Sequence, residues 1–275
     1  MSANPTAPSN TDPYVDFKAA QRVGWASFGP LAMFTTPAAA RLVRFAGVRP
    51  GQRVLDVACG TGVVAVTAAR LGARVTGADF TPELLAQARE SSSIAELNVD
   101  WKDADVEQLP FADQEFDVVL SQFGHMFAPR PAVAVAEMLR VLKPGGTIAF
   151  TTWPAESLVG RTMALTMRYL PPPPQGVAPP LQWGDPAIVR ERLGAAVRDL
   201  TFDRDTMVVY TLSPQHQRWT SERTAGPTLK LVQTLAATDP AKLAEFRREF
   251  DAIVGDFFEM NTTRQTYLMT RSVKV

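Results

Sequence analysis

The chain has 275 residues, 46% hydrophobic and 20% charged, with 28 Lys plus Arg set against 28 Asp plus Glu for a formal net charge of +0. It is too apolar to be a disordered chain, and its charge balance supplies no global positive field for a nucleic-acid backbone. No run reaches the ~18–20 consecutive apolar residues of a membrane span, and the opening MSANPTAPSNTDP lacks the basic and apolar segments of a secretory signal, so a cytoplasmic protein is expected. Cys59, the single cysteine, has no intrachain disulfide partner. His125 and His216 are far apart, and CxxC and HExxH patterns are absent, so no metal is expected.

In chain order, residues 1–12, rich in Ser, Pro, Asn and Thr, read as a mobile tail. Residues 13–48 read as a helical lid, with the aromatic residues Tyr14, Phe17, Trp25, Phe28 and Phe34 leading into one helix. That helix is delimited by Thr36 as N-cap, Pro37 at the first helical position and Gly47 after the last turn. From residue 49 a single domain is expected to run to residue 275. Its short apolar strands alternate with helices: RVLDVA, then a helix to about Leu71; ARVTGAD, then a helix after Thr81-Pro82; LNVDW; FDVVLSQ, then PAVAVAEMLRVL; and GTIAFTTW. This alternation predicts an α/β fold, a Rossmann-like, doubly wound, mostly parallel sheet.

After Trp153 the rhythm breaks. PPPPQGVAPP is a stiff connector, WGDPAIVRERLG a capped helix and TMVVYTL a strand. Asp239-Pro240 starts a helix to about Glu259, with Leu243, Phe246, Phe250, Ile253, Val254 and Phe257 on one buried face, and TRQTYLMTRSVKV is a closing strand. Residues of about 154–184 and 213–261 are expected to be cap insertions over the ligand-binding edge of the sheet.

The stretch VLDVACGTG asks which ligand its glycine turn holds. Gly60-Thr61-Gly62-Val63-Val64-Ala65 satisfies G-x-G-x-x-A, and Asp79 lies near the position of a dinucleotide fold's ribose acid, so an NAD(P)-dependent oxidoreductase is one reading. Asp56 tilts the choice, because a carboxylate beside the turn repels a pyrophosphate and attracts the ammonium and sulfonium of S-adenosylmethionine. The competing reading of Asp56 is a capping or turn-bonding aspartate. Asp79 ends the second strand, where a carboxylate can accept both ribose hydroxyls, and Asp105 with the Val106 N–H can tell adenine from guanine by one acceptor and one donor.

VLDVACGTG, GADFTPELLAQA, DADVEQLPF, FDVVLSQFGHMFAP and EMLRVLKPGGTIAFTTW together resemble the class I S-adenosylmethionine-dependent methyltransferases, in particular the ubiquinone/menaquinone-biosynthesis-like group. The likeness covers residues of about 49–153. It implies that Asp56, Ala58, Gly60 and Gly62 wrap the methionine moiety, that Asp79 with Phe80 holds the ribose, that Asp105 and Val106 hold the adenine, and that Ser121 and Gln122 lie near the sulfonium. It also implies a seven-stranded sheet whose final strand is antiparallel. Ala58 stands where a third glycine is usual, which is tolerable at negative φ, and Phe80 where a smaller residue is frequent.

The implied activity is methyl transfer to a small molecule, on oxygen, nitrogen or carbon, by in-line displacement. An acceptor hydroxyl or carbon acid would call for a general base, and His125 is the candidate by position, against the reading of a histidine that only lines a loop. Trp25, Phe28, Phe123, Met126 and Trp153 are candidate acceptor-pocket residues. Neither a nucleic-acid nor a membrane partner is expected, the alternative of a macromolecular acceptor stays open, and the sequence leaves monomer or homodimer undecided.

Overall fold

The computed structural model describes residues 12–275, so the tail expected over 1–12 falls almost wholly outside the described residues. The strands are β1 (Arg53–Val57), β2 (Arg74–Asp79), β3 (Val99–Asp103), β4 (Phe116–Gln122), β5 (Leu142–Thr152), β6 (Val197–Tyr210), β7 (Phe258–Glu259) and β8 (Thr262–Lys274). The helices are α1 (Val15–Trp25), α2 (Ala32–Ala46), α3 (Val63–Arg70), α4 (Pro82–Ile94), α5 (Pro131–Val141), α6 (Leu158–Tyr169), α7 (Pro186–Leu193), α8 (Pro214–Thr224), α9 (Gly226–Thr238) and α10 (Pro240–Gly255).

The sheet runs β3-β2-β1-β4-β5-β8-β6, parallel from β3 through β5, with β8 antiparallel between β5 and β6. The seven-stranded path carries its antiparallel final strand, and the two-residue β7 adds a short hairpin on β8. Strand order reverses between β1 and β4, so their carboxyl ends form the switch point where loops diverge and leave a crevice. Alternate residues of β1 serve opposite faces. Leu55 and Val57 pack with Val135 and Met138 of α5, while Val54 packs with Leu42 and Val43 of α2 and Val64 of α3.

A separate apolar cluster joins α6, α9 and α10 through Leu158, Leu165, Leu231, Leu235, Phe246 and Phe250. The expected buried face of α10 is there, with Ile253 and Phe257 only partly covered, but the helix stops at Gly255 because Phe258 and Glu259 pair with β8. The start of α2 also differs from the sequence reading. The helix begins at Ala32, directly after a 3-10 turn over Gly29–Leu31, so Thr36 is not its N-cap and Pro37 lies inside it. Pro37 is accommodated because it and Met33, whose carbonyl it leaves without a helical partner, are on the exposed side. Gly47 ends α2 at φ 70 as expected. No described helix is long and apolar enough to cross a membrane.

Candidate active site

The turn after β1 is left-handed three times over, at Ala58 (φ 50), Gly60 (φ 54) and Gly62 (φ 81). Ala58 therefore departs from the negative φ that the sequence reading required of it, and a non-glycine residue there carries strain of ~1–2 kcal/mol. Phe123, at the end of β4, is a second non-glycine residue in this region, at φ 59. A Cβ on the next residue, Gly124, would lie 2.5 Å from the Ala58 Cβ, so the loops after β1 and β4 abut backbone to backbone. Backbone strain of this kind collects where a site dictates the chain path.

Asp56 is only 1% exposed, and its Oδ2 accepts the Ala65 N–H of α3 at 3.0 Å. This corrects the picture of a carboxylate facing a ligand. Side chains alternate along β1, and position 56 points with Val54 toward α3, where a carboxylate compensates the positive helix end. Its Oδ1 is buried without a partner. Burial, against the bond from Ala65 and helped by the charge of Asp79, pushes the Asp56 carboxyl well above the usual range.

Asp79, 4% exposed, straps two loops together by accepting the Gly60 N–H at 2.8 Å and the Thr81 N–H at 2.8 Å. Burial raises its pKa despite those bonds. Phe80 follows it, half-buried at the end of β2. Cys59 is buried in the turn, and burial with the charges of Asp56 and Asp79 pushes its thiol up, so it is a packing residue. Gly62 and Gly77 are small for Trp101: a Cβ on either would come within 2.4 Å or 2.3 Å of the indole, whose N–H donates to Ser92 at 3.3 Å. Trp101 did not emerge from the sequence reading, although its place in LNVDW beside a strand containing a glycine was a usable signal.

After β3, Asp105 accepts the Glu107 N–H on Oδ1 at 2.9 Å and meets the Lys18 ammonium on Oδ2 at 2.6 Å, with Val106 half-buried between. Lys18, Glu107 and Arg130 were not anticipated as neighbours of this loop. Lys18 is buried among Asp12, Asp105 and Glu107, and Arg130 closes the group by its pair with Glu107 at 2.7 Å. Burial opposes the charge on Lys18, but bonds to the three carboxylates win and hold its pKa above the usual value. These carboxylates are, among the described residues, the one acidic group close enough to hold a cation, and a lysine side chain occupies the middle of it.

At the end of β4, Ser121 is fully buried, donating to the Val57 carbonyl at 2.8 Å and accepting the His125 N–H at 3.2 Å. Gln122 donates to the Thr35 carbonyl at 3.0 Å, and its Oε1 is buried without a donor. His125 is enclosed, with ring centroids 4.5 Å from Phe150 and 4.7 Å from Trp183 and neither nitrogen partnered. Burial, with a contribution from the Arg192 charge, drives its pKa to about 3, so it is a neutral interior histidine rather than a general base within reach of an acceptor.

The five candidate pocket residues divide into two groups. Trp25 and Phe28 are half-buried, their rings 5.9 Å apart, and Trp25 meets Phe127 at 4.6 Å. Phe123 stacks on Trp153 at 3.9 Å and 9°, with Tyr267 edge-on, and all three are buried; Met126 is 1% exposed. Phe123, Met126 and Trp153 thus belong to the core beneath the strand ends, because apolar side chains there close the space between the sheet and α5.

The donor set suits a cationic ligand. Gln122 Oε1 is an acceptor without a donor, the buried carboxylates of Asp56 and Asp79 lie beneath the turn, and Gly60 has open space where a Cβ would stand. An ammonium and a sulfonium supply the missing donor and charge; a pyrophosphate supplies neither, and the first turn of α3 that it would need is already engaged by Asp56.

Comparison with known proteins agrees. A family model described as a methyltransferase domain matches residues 55–150. An uncharacterised protein of Mycobacterium tuberculosis is 35% identical over 237 residues, covering 85% of each chain. The 2-phytyl-1,4-naphtoquinone methyltransferase of Synechocystis is 42% identical over 115 residues, 40% of this chain and 48% of its own length. A candidate methyltransferase from Bacillus halodurans shares the fold with a TM-score of 0.57 at 22% identity, over 86% of this chain and 98% of the other. The dinucleotide reading falls with these matches, and the chain belongs to the class I S-adenosylmethionine-dependent methyltransferases.

Proposed function

We propose that the acceptor is a small, flat and largely apolar molecule, methylated at the carboxyl ends of β1 and β4. The observation that carries this reading is the half-buried Trp25–Phe28–Phe127 group, which brings ring faces from α1 to the loop after β4. The quinone-type substrate in the name of the Synechocystis relative has the same chemistry, and the balanced charge does not favour a nucleic-acid acceptor. In this reading residues 13–48 form a lid, and the segments 154–184 and 213–261 form the cap that helps to keep water out.

When bound, S-adenosylmethionine supplies the activated methyl group. The chain's own residues bind and orient. The turn held by Asp79 would take the methionine and ribose portions, with Phe80 beside them and Gly60 and Gly62 keeping backbone close. Asp105 and the Val106 N–H would hold the adenine. Asp56 and Ser121 shape the turn from below, while Gln122 offers its free Oε1. Alignment and water exclusion of this kind are worth up to ~7–11 kcal/mol in well-oriented reactions. With His125 enclosed, this reading assigns no general base to it and takes the acceptor as already ionised when it reacts.

Calorimetry of the purified chain with S-adenosylhomocysteine and NAD, followed by transfer of a labelled methyl group to reduced 1,4-naphthoquinones, tests this reading. Micromolar binding of the former alone and label on the naphthoquinol support it. Label that appears only on protein or nucleic acid overturns the choice of acceptor.

A further inference from the structure

We infer that Lys18 is a positioning residue for the adenine base: its ammonium fixes the Asp105 carboxylate as a hydrogen-bond acceptor and so sets the preference for an amino-bearing purine. The inference deepens the proposed site and rests on Asp105 being the adenine acceptor. Lys18 Nζ lies 2.6 Å from Asp105 Oδ2, 2.6 Å from Glu107 Oε2 and 2.5 Å from Asp12 Oδ2. Lys18 is 8% exposed and the Glu107 side chain 0%, so the contact is neither long-range nor fully solvated. Arg130 supports the same carboxylates, at 2.7 Å from Glu107 and 3.3 Å from Asp12, but does not pair with Asp105. Lys18 is therefore the one cation bonded to Asp105 among the described residues.

The geometry leaves Asp105 a specific capacity. Of its ~4 lone-pair sites, one takes the Glu107 N–H and one takes Lys18, so an exocyclic amine has a place while a ring carbonyl meets only lone pairs. Oxygens of Asp12, Asp105 and Glu107 lie within 4.8 Å of one another. Without the ammonium they repel, and Asp105, whose side chain is 29% exposed, keeps only the Glu107 N–H to hold its carboxylate against rotation toward water. Removal of Lys18 should not unfold the lid. Arg22 pairs with Asp103 at 3.1 Å, Gln21 donates to the Phe127 carbonyl at 3.2 Å, and Gly24 abuts Gly226 at the other end of α1, where a Cβ on Gly226 would meet the Gly24 carbonyl at 2.5 Å.

The test is calorimetric titration of the full chain with S-adenosylhomocysteine and its deaminated analogue, S-inosylhomocysteine, for the parent, Lys18→Met, Lys18→Arg and Asp105→Asn, each confirmed folded by circular dichroism. Lys18→Met is expected to weaken S-adenosylhomocysteine about tenfold and to shrink the adenosyl-over-inosyl preference by a similar factor, with Lys18→Arg restoring most of both. Equal weakening of both ligands in Lys18→Met would mark Lys18 as merely structural and overturn the inference. Loss of the preference in Asp105→Asn with full retention in Lys18→Met overturns it as well, leaving the site reading intact. Unchanged S-adenosylhomocysteine affinity in a further variant, Asp105→Leu, which removes every side-chain acceptor, overturns the adenine site itself.

Discussion

Buried carboxylates are held in opposite ways at the ends of β1 and β2 and in the helical segment of α8 to α10. There Asp56 and Asp79 accept backbone N–H groups, from Ala65, Gly60 and Thr81, and among the described residues no side-chain cation pairs with either. In the helical segment Glu222 is gripped by Arg218 at 2.8 Å and by Arg247 through both oxygens at 2.8 Å, with Asp251 bonding Arg218 from the other side. The consequence appears in their acidity. Burial wins for Asp56 and Asp79, whose pKa values rise, whereas for Glu222 it is outweighed by the two arginines and the pKa falls. Carboxylates left without a partner cation beneath the turns after β1 and β2 suit a cationic ligand, and charge cancelled in place suits the docking of one helix on another.

On that contrast, the largest effect on stability belongs to the helical segment. Glu222→Ala leaves two arginines facing each other over an apolar layer, with an expected cost of about 3 kcal/mol. Urea unfolding measures it, and S-adenosylhomocysteine affinity in the folded variant should stay within about twofold. Lost affinity at unchanged stability would erase the distinction between the two regions. Asp79→Ala is the converse case. It frees the Gly60 and Thr81 N–H groups and removes the proposed ribose acceptor, for an expected weakening of S-adenosylhomocysteine by about 100-fold, or ~2.7 kcal/mol. Calorimetry showing an unaltered affinity would remove Asp79 from the site.

His125 sharpens the boundary, because it lies in a strand-end loop yet behaves as core. Its pKa, lowered from 6.5 to about 3 by burial, makes it neutral when folded, so its effect on stability is fully favourable above pH 6.5 and is lost as pH falls toward 3. At pH 5 the loss is about 2 kcal/mol, 1.5 pH units below the unfolded value. His125→Phe removes this acid limb. The difference between variant and parent in urea midpoint should shift in favour of the variant from pH 7 to pH 5, while S-adenosylhomocysteine binding at pH 7 is retained. Equal pH dependence of the two proteins would show that the imidazole is hydrated in the folded chain.

How much of this was readable in advance follows the range of the forces involved. The strands from β1 to β5 and the acids that end them were legible because apolar runs, Gly and Asp are local signals for strand, turn and cap. The length of β6 was hidden by Arg198, Asp199, Asp203, Arg204 and Asp205, tolerated because it pairs only with β8 at the sheet edge. α8, PQHQRWTSERT, shows almost no apolar period and is held instead by the ion pairs of Glu222. At the site the residue types were legible and their orientation was not. The side on which Asp56 points depends on the pleat, the enclosure of His125 on Trp183 from a distant turn, and the partner of Asp105 on Lys18 from α1.

The smallest effect tests whether the strain in the turn belongs to the site. Ala58 sits at φ 50, where its Cβ is unfavourable and glycine is not, so Ala58→Gly relieves ~1–2 kcal/mol of folded-state strain. Part of the gain is offset because glycine adds freedom to the unfolded chain, and the net expectation is a stabilisation of about 0.5–1 kcal/mol. The Ala58 Cβ also touches the space beside Gly124, so its removal loosens the contact between the loops after β1 and β4. A more stable variant with weaker S-adenosylhomocysteine binding would mean that the strained residue keeps these loops in register for the ligand. A more stable variant with unchanged binding would place the ligand-holding geometry in the Asp79 strap alone, since that strap fixes Gly60 independently of the residue at position 58.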